Sequence, residues 1–267
     1  IRSSADARTR DEAGRHERRA MGAPDRRACY LTPSESLVND STSTPLVPPA
    51  VLSTLLGAPE PPSEPSPRTC VTLWTGRKWP FACPTVADVH AGDWHSLAFV
   101  PRYGGAAGAY SVMEHLVRGV RQARHLGLHE RIVLAYAVHD IPECYPPADM
   151  LGPVVRELQR VEAATGVPDP TLRMRAAAED AVWTKCGMLD VFREPANEAL
   201  VHKLDVAMCA AEKRSLVRGN EALALPEWAP TERIRPMDPA VVLLRYHAIL
   251  KRFAPALAVE FEDGWAA

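Results

Sequence analysis

The chain has 267 residues, of which 46% are hydrophobic and 24% are charged, so it can bury at least one full core and is not disordered throughout. Its formal net charge of −2 gives no global attraction to DNA or RNA, and we expect no stable nucleic-acid partner. The six cysteines form no C-x-x-C pair, and no apolar run reaches the length of a membrane span. These features predict a cytoplasmic protein with reduced thiols and no membrane partner.

Residues 1–69 differ in composition from the rest of the chain. The first 27 residues hold eight arginines against five acids and almost nothing apolar, which predicts a disordered tail. Eight prolines follow between Pro45 and Pro67, a density that favours an extended linker. The sequence therefore predicts a disordered extension over 1–69 and one folded domain over 70–267.

The folded part begins with β-branched and aromatic residues around Gly76, which predict a short hairpin between residues 71 and 81. Beyond it, apolar residues recur three or four positions apart, and we expect an all-α helical bundle. Ser111 followed by Glu114 is typical of a capping box at a helix start. The predicted helices cover 111–126, the buried run RIVLAYAV before His139, 172–188, 196–218 and 239–253.

Side chains with metal-binding chemistry lie on three of these helices, namely His115, the adjacent pair His139 and Asp140, and Asp205. Two imidazoles and two carboxylates from three elements can converge on one divalent metal ion. Adjacent residues on a helix point about 100° apart, so His139 and Asp140 reach one ion only beside the end of their helix. Glu143 lies four residues after His139 and is the natural general acid/base. The pattern predicts a metal-dependent hydrolase.

The segments TGRKWPF, PTVADVHAGDWHSLAFVPRYGG, YSVMEH, AYAVHDIPE and KLDVAMCAAEKRSL occur in this order between about residues 70 and 253. Together they resemble the HD-domain phosphohydrolases, in the branch related to bacterial 5′-deoxynucleotidases and their phage and actinobacterial relatives. The resemblance implies an HD-domain bundle that binds one divalent transition metal through His115, His139, Asp140 and Asp205. It also implies a proton-transfer role for Glu143. Manganese, cobalt, iron, nickel and zinc all suit such a donor set.

The resemblance further implies two residues that bind substrate. Arg102, which precedes the Gly-Gly loop, is similar to an arginine that meets the substrate phosphate in the family. Asp149 is the nearest match to an aspartate that helps to hold the sugar, although it lies one residue late. Both assignments are expectations from the resemblance alone.

The chain departs from the family pattern at two loops. Ala106 and Ala107 stand where relatives have His-Thr. His95 follows Asp93 by two residues, where relatives have a histidine at the third, so His95 either substitutes for that histidine or lies on the surface. Both departures fall on substrate-facing loops, so they bear on specificity and leave the metal ligands intact.

The expected reaction is hydrolysis of (deoxy)nucleoside 5′-monophosphates to nucleoside and phosphate. One alternative is a triphosphohydrolase, which would release tripolyphosphate or pyrophosphate. A second alternative is a degenerate HD domain that binds nucleotides without turnover. A third is a metal-free helical scaffold whose buried polar groups are satisfied by ordinary hydrogen bonds. The expected partner is a small-molecule nucleotide, with a homodimer as a further expectation.

Overall fold

The computed structural model describes residues 70–81, 83–147 and 150–265. Of these, 63% are helical and 4% are in strands, which confirms an all-α fold with a short hairpin at its N-terminal side. The predictions for residues 1–69 and for Asp149 lie outside the described residues. None of the described helices combines the length and the apolar character that a membrane span needs.

The predicted hairpin consists of β1 (Cys70–Thr72) and antiparallel β2 (Lys78–Pro80). Gly76 makes the turn between them with a φ of 81°, a conformation that favours glycine. Trp79 on β2 is buried and stacks on Tyr145, with 3.8 Å between the ring centroids. The hairpin therefore covers the segment that follows the His139–Asp140 pair.

Eight α-helices lie in the described part of the chain: α1 (Val112–His125), α2 (Glu130–Val138), α3 (Gly152–Thr165), α4 (Pro170–Lys185), α5 (Leu189–Arg193), α6 (Pro195–Leu216), α7 (Pro239–Phe253) and α8 (Pro255–Glu262). Short 3₁₀ segments lie at Ala91–Ala98, Arg102–Gly105, Ile141–Cys144 and Asp263–Trp265. The prediction for 239–253 matches α7 at both ends, and those for 111–126 and 196–218 match α1 and α6 within two residues. The predicted helix over 172–188 is instead α4, which ends at Lys185, followed by the separate α5.

Helix α2 lies at the centre of the bundle, as the run RIVLAYAV predicts, because each residue from Ile132 to Val138 is buried. It packs against α1, α6 and α7. Tyr246 of α7 donates a hydrogen bond to the carbonyl of Ala137 at 3.0 Å, which ties the end of α2 into the core. The residues just after α2 are thereby held between three helices.

Helix α1 begins as predicted, since the backbone N–H of Glu114 donates to Ser111 Oγ at 3.1 Å. The second half of a capping box is replaced by other contacts. The Glu114 carboxylate accepts from Arg118 Nε at 2.7 Å and from the backbone N–H of Met237 at 3.0 Å. Glu114 thus fastens the segment before α7 to the first turn of α1.

Candidate metal centre

Three helices bring the predicted ligands together. His115 lies near the start of α1 and is fully buried, and Asp205 lies on α6. Helix α2 ends at Val138, so His139 is its C-cap and Asp140 leaves the helix with φ −97° and ψ 4°. This helix end is the place from which adjacent residues can reach one point, as the sequence argument requires.

The donor atoms of His115, His139 and Asp205 lie within 4.8 Å of one another, and among the described residues this group can hold a metal ion. Asp140 borders the same point. Its Oδ1 lies 3.1 Å from His139 Nε2 and its Oδ2 lies 3.6 Å from His115 Nε2. The structure thus brings all four predicted ligand residues into contact.

Hydrogen bonds on the far side of each imidazole orient it for metal binding. The carbonyl oxygen of Tyr136 lies 2.7 Å from His139 Nδ1 and can only accept, so in the neutral ring Nδ1 carries the proton and Nε2 keeps its lone pair. His139 Nε2 is buried and has no hydrogen-bond partner among the described residues. His115 Nδ1 donates to Glu212 Oε1 at 2.6 Å, which leaves the lone pair on its Nε2, 2.8 Å from the Tyr136 hydroxyl oxygen. Each Nε2 therefore faces the cluster as an electron-pair donor, as a metal ligand must.

Glu212 is a member of the candidate site that the sequence reasoning missed. It is fully buried on α6, and besides His115 it accepts hydrogen bonds from the hydroxyls of Tyr103 at 2.6 Å and Tyr110 at 2.9 Å. Its signal in the sequence is its position seven residues after Asp205, two helical turns along the same face. Glu212 fixes the ring of His115 in the way that carboxylates commonly orient metal-binding histidines.

Arg102 lies inside the cluster, as a member of the 3₁₀ segment that precedes α1. Its Nη1 donates to Asp140 Oδ2 at 2.8 Å, its Nη2 lies 3.2 Å from Cys209 Sγ, and its Nε lies 3.4 Å from Glu212 Oε2. All three guanidinium nitrogens thus contact groups of the protein. Arg102 holds two of the carboxylates that surround the ligand atoms.

The charges of the cluster fit a divalent cation. With both imidazoles neutral, the carboxylates of Asp140, Asp205 and Glu212 face one guanidinium, that of Arg102, which leaves two negative charges uncompensated within the cluster. Uncompensated charge is costly in a buried site. A divalent ion held by nitrogen and oxygen donors would neutralise both charges, whereas the donor set itself does not select one transition metal.

The charges of the cluster also shift the pKa values of the candidate ligand residues. Burial would raise the pKa of Asp140 and of Asp205, but the neighbouring imidazoles outweigh burial and hold the pKa of each carboxyl below its ordinary value. Burial would lower the pKa of His139, yet the two aspartates raise it well above its usual range. The cluster therefore favours positive charge at its centre.

A narrow cavity opens beside the cluster. His139, Asp140 and Glu143 line one side of it, and Arg175 and Glu179 of α4 line the other. Glu143 belongs to the 3₁₀ segment Ile141–Cys144, which begins directly after Asp140. The structure thus places the predicted general acid/base next to two of the predicted ligands, in the lining of this cavity.

His95 lies apart from these contacts, whereas Ala107 packs with Tyr103 and Tyr110, which donate to Glu212. His95 is buried, with its Nε2 2.9 Å from the carbonyl oxygen of Phe261, so of its two alternatives the surface position is wrong. Its ring packs against Phe261 and Trp265, near the C-terminal helix α8. Ala107 is buried and Ala106 is exposed.

The comparisons with known proteins add no relative: no family model matches the chain, and no curated protein matches it.

Proposed function

We propose that this protein is a metal-dependent phosphohydrolase that acts on nucleotides, with (deoxy)nucleoside 5′-monophosphates as substrates. One observation carries the proposal, namely that the donor atoms of His115, His139 and Asp205 converge next to a cavity lined by Glu143. A cation site beside an ionisable carboxylate is what hydrolysis of a phosphate monoester by water requires.

In this proposal His115, His139 and Asp205 hold the metal together with Asp140. A bound divalent ion supplies charge against the phosphate dianion and makes water more acidic. Glu143 accepts a proton from the attacking water or delivers one to the leaving alkoxide oxygen of the nucleoside. Glu212 and the Tyr136 carbonyl hold the two imidazoles in the required tautomer. No covalent intermediate with the protein is needed.

The test is phosphate release from a panel of ribo- and deoxyribonucleoside mono- and triphosphates, with Mn²⁺, with Co²⁺ and with a chelator. We expect orthophosphate from the monophosphates and no release in the chelator. Tripolyphosphate from the triphosphates would make the protein a triphosphohydrolase. Nucleotide binding without turnover in the presence of metal would overturn the enzymatic proposal and favour a binding module.

Replacing Glu143 with Gln tests the proton-transfer role. The amide keeps the size of the side chain but cannot take up a proton, so we expect turnover to fall by about two to four orders of magnitude while metal binding is retained. Turnover is measured with the best substrate of the panel, and metal content by elemental analysis. Glu157→Gln, on the exposed surface of α3, is the matched control and should turn over like the parent protein. Full activity of the Glu143 variant would remove this residue from the mechanism.

A further inference from the structure

Arg102 is poorly placed to be the only phosphate contact, although the resemblance implies it as the phosphate anchor. Its side chain is 10% exposed, and its nitrogens contact Asp140, Glu212 and Cys209. These contacts use three of its five N–H donors, so a phosphate oxygen that took one of the three would displace a partner within the cluster. A carboxylate that loses such a buried partner leaves an uncompensated charge, which is costly.

A second arginine faces the cavity from the opposite side. Arg175 of α4 lines the cavity together with His139, Asp140 and Glu143, and 34% of its side chain is exposed. Its Nε donates to Glu179 Oε1 at 2.9 Å, one turn along the same helix. That contact uses one of the five N–H donors of a guanidinium, and it holds the side chain in place along α4.

The positive charge of Arg175 interacts with carboxylates of the candidate site. Burial opposes this charge, but Glu179 and, after it, Glu143 and Asp140 raise the pKa of Arg175 above its ordinary value. The guanidinium thus lies within electrostatic reach of the proposed general acid/base and of a proposed metal ligand. A group bound between α4 and the candidate ligands would meet the Arg175 guanidinium on one side and, with a divalent ion bound, positive charge on the other.

We propose that Arg175 is a substrate-binding residue that contacts the phosphate group from the α4 side of the cavity through its terminal N–H groups. The planar fork of a guanidinium matches two phosphate oxygens, and such charge-assisted bonds are the strong ones. The proposal rests on the proposed function for the nature of the substrate. It assigns Arg102 to holding Asp140 and Glu212 at the inner side.

The test measures binding of inorganic phosphate to the Mn²⁺-loaded full chain by isothermal titration calorimetry. Arg175→Gln keeps part of the stem but removes the charge, and we expect its Kd for phosphate to rise about tenfold or more. Arg175→Lys, which keeps the charge without the fork, should lie in between. Arg173→Gln changes an exposed arginine on the same helix and should bind phosphate like the parent protein.

Phosphate binding by Arg175→Gln that equals the parent overturns the proposal, and so does the absence of phosphate binding by the parent at millimolar concentration. The thermal transition of each variant shows whether it is folded, and the Lys variant covers the case in which Gln unfolds the chain. If the parent turns over a nucleotide and the Gln variant does so with the same KM, the role of Arg175 is refuted and the proposed function stands. Arg175-dependent phosphate binding without turnover would support Arg175 and refute the enzyme.

Discussion

His115 and His95 are both buried side chains, with 0% and 3% of their surfaces exposed, but their surroundings are opposite. Around His115 lie the carboxylates of Glu212 and Asp205, at 2.6 Å and 3.2 Å from its two ring nitrogens. Around His95 lie the rings of Phe261 and Trp265 and one backbone carbonyl. The first histidine sits among charges and the second among apolar groups.

The two pKa values move in opposite directions as a result. Burial would lower both, but Glu212 and Asp205 raise the pKa of His115 above its ordinary value. At His95 burial prevails over the Phe261 carbonyl, and the pKa is lowered. Burial of a histidine therefore does not identify a metal ligand, and His115 differs from His95 in having carboxylates at both of its ring nitrogens.

Each histidine also depends on a nearby glycine. A Cβ on Gly119 would lie 1.9 Å from Cε1 of Tyr136, whose hydroxyl meets His115. A Cβ on Gly264 would lie 2.7 Å from Cδ2 of His95. Gly119→Ala and Gly264→Ala are therefore matched substitutions, the first next to the candidate metal centre and the second next to His95, which takes no part in it.

Gly119→Ala should have the largest effect on stability, a loss of about 3 kcal/mol in the free energy of unfolding, because the Tyr136 ring has no room to move in the core. It should also weaken Mn²⁺ binding, since the Tyr136 carbonyl holds the imidazole of His139. Denaturant unfolding and calorimetry measure the two effects.

Gly264→Ala sharpens the comparison, because it should destabilise the chain and leave Mn²⁺ affinity unchanged. Gly152→Ala is the neutral control, since its Cβ would meet only the flexible end of Arg156 at 3.4 Å. Equal Mn²⁺ affinity in the Gly119 and Gly264 variants would contradict the link between Tyr136 and the metal centre.

Glu212→Gln should weaken Mn²⁺ binding by about 10- to 100-fold, because the amide orients His115 less firmly and removes one negative charge from the cluster. Glu227→Gln, on the exposed surface and paired with Lys203, is the control. Calorimetric titration with Mn²⁺ gives the affinities. An unchanged affinity in the Glu212 variant would mean that His115 needs no carboxylate partner.

The sequence predicted the helices that carry strong apolar periodicity and clear caps, such as α1 and α7. It missed α3, because this helix buries none of its residues and so has no core face to reveal it. It also missed α8, which has eight residues and begins only two positions after α7 ends. Periodicity needs length and a buried face, and these helices lack one or the other.

The residues of the candidate site were likewise predicted only in part. The candidate ligands His115, His139 and Asp205 were predicted from their type and order, since metal binding demands particular side chains. Glu212 and Arg175 were not found, because their roles depend on how α6 and α4 pack around α1 and the segment after α2. The position of His95 depends likewise on α8, whose packing no local pattern encodes. The sequence pattern does not predict contacts between segments that are distant along the chain.

The smallest expected effect is the loss of stability at acidic pH that is due to His95. Because its folded pKa is lowered, the unfolded chain takes up the proton first as the pH falls below about 6.5. The contribution of His95 to stability is therefore complete above pH 6.5 and is lost progressively below it. Between pH 7.5 and pH 5.5 this loss is at most about 1.4 kcal/mol.

His95→Gln removes the titrating group, so the stability of this variant should fall less than that of the parent between pH 7.5 and pH 5.5. Urea unfolding at both pH values gives the difference, and every other titration, including those of the metal ligands, is common to both proteins and cancels. His202→Gln changes an exposed histidine of α6 and should follow the parent. If His95→Gln lost as much stability in acid as the parent, His95 would take up a proton in the folded state as easily as in the unfolded chain. The contrast with His115 would then lie in their partners alone and not in their charge.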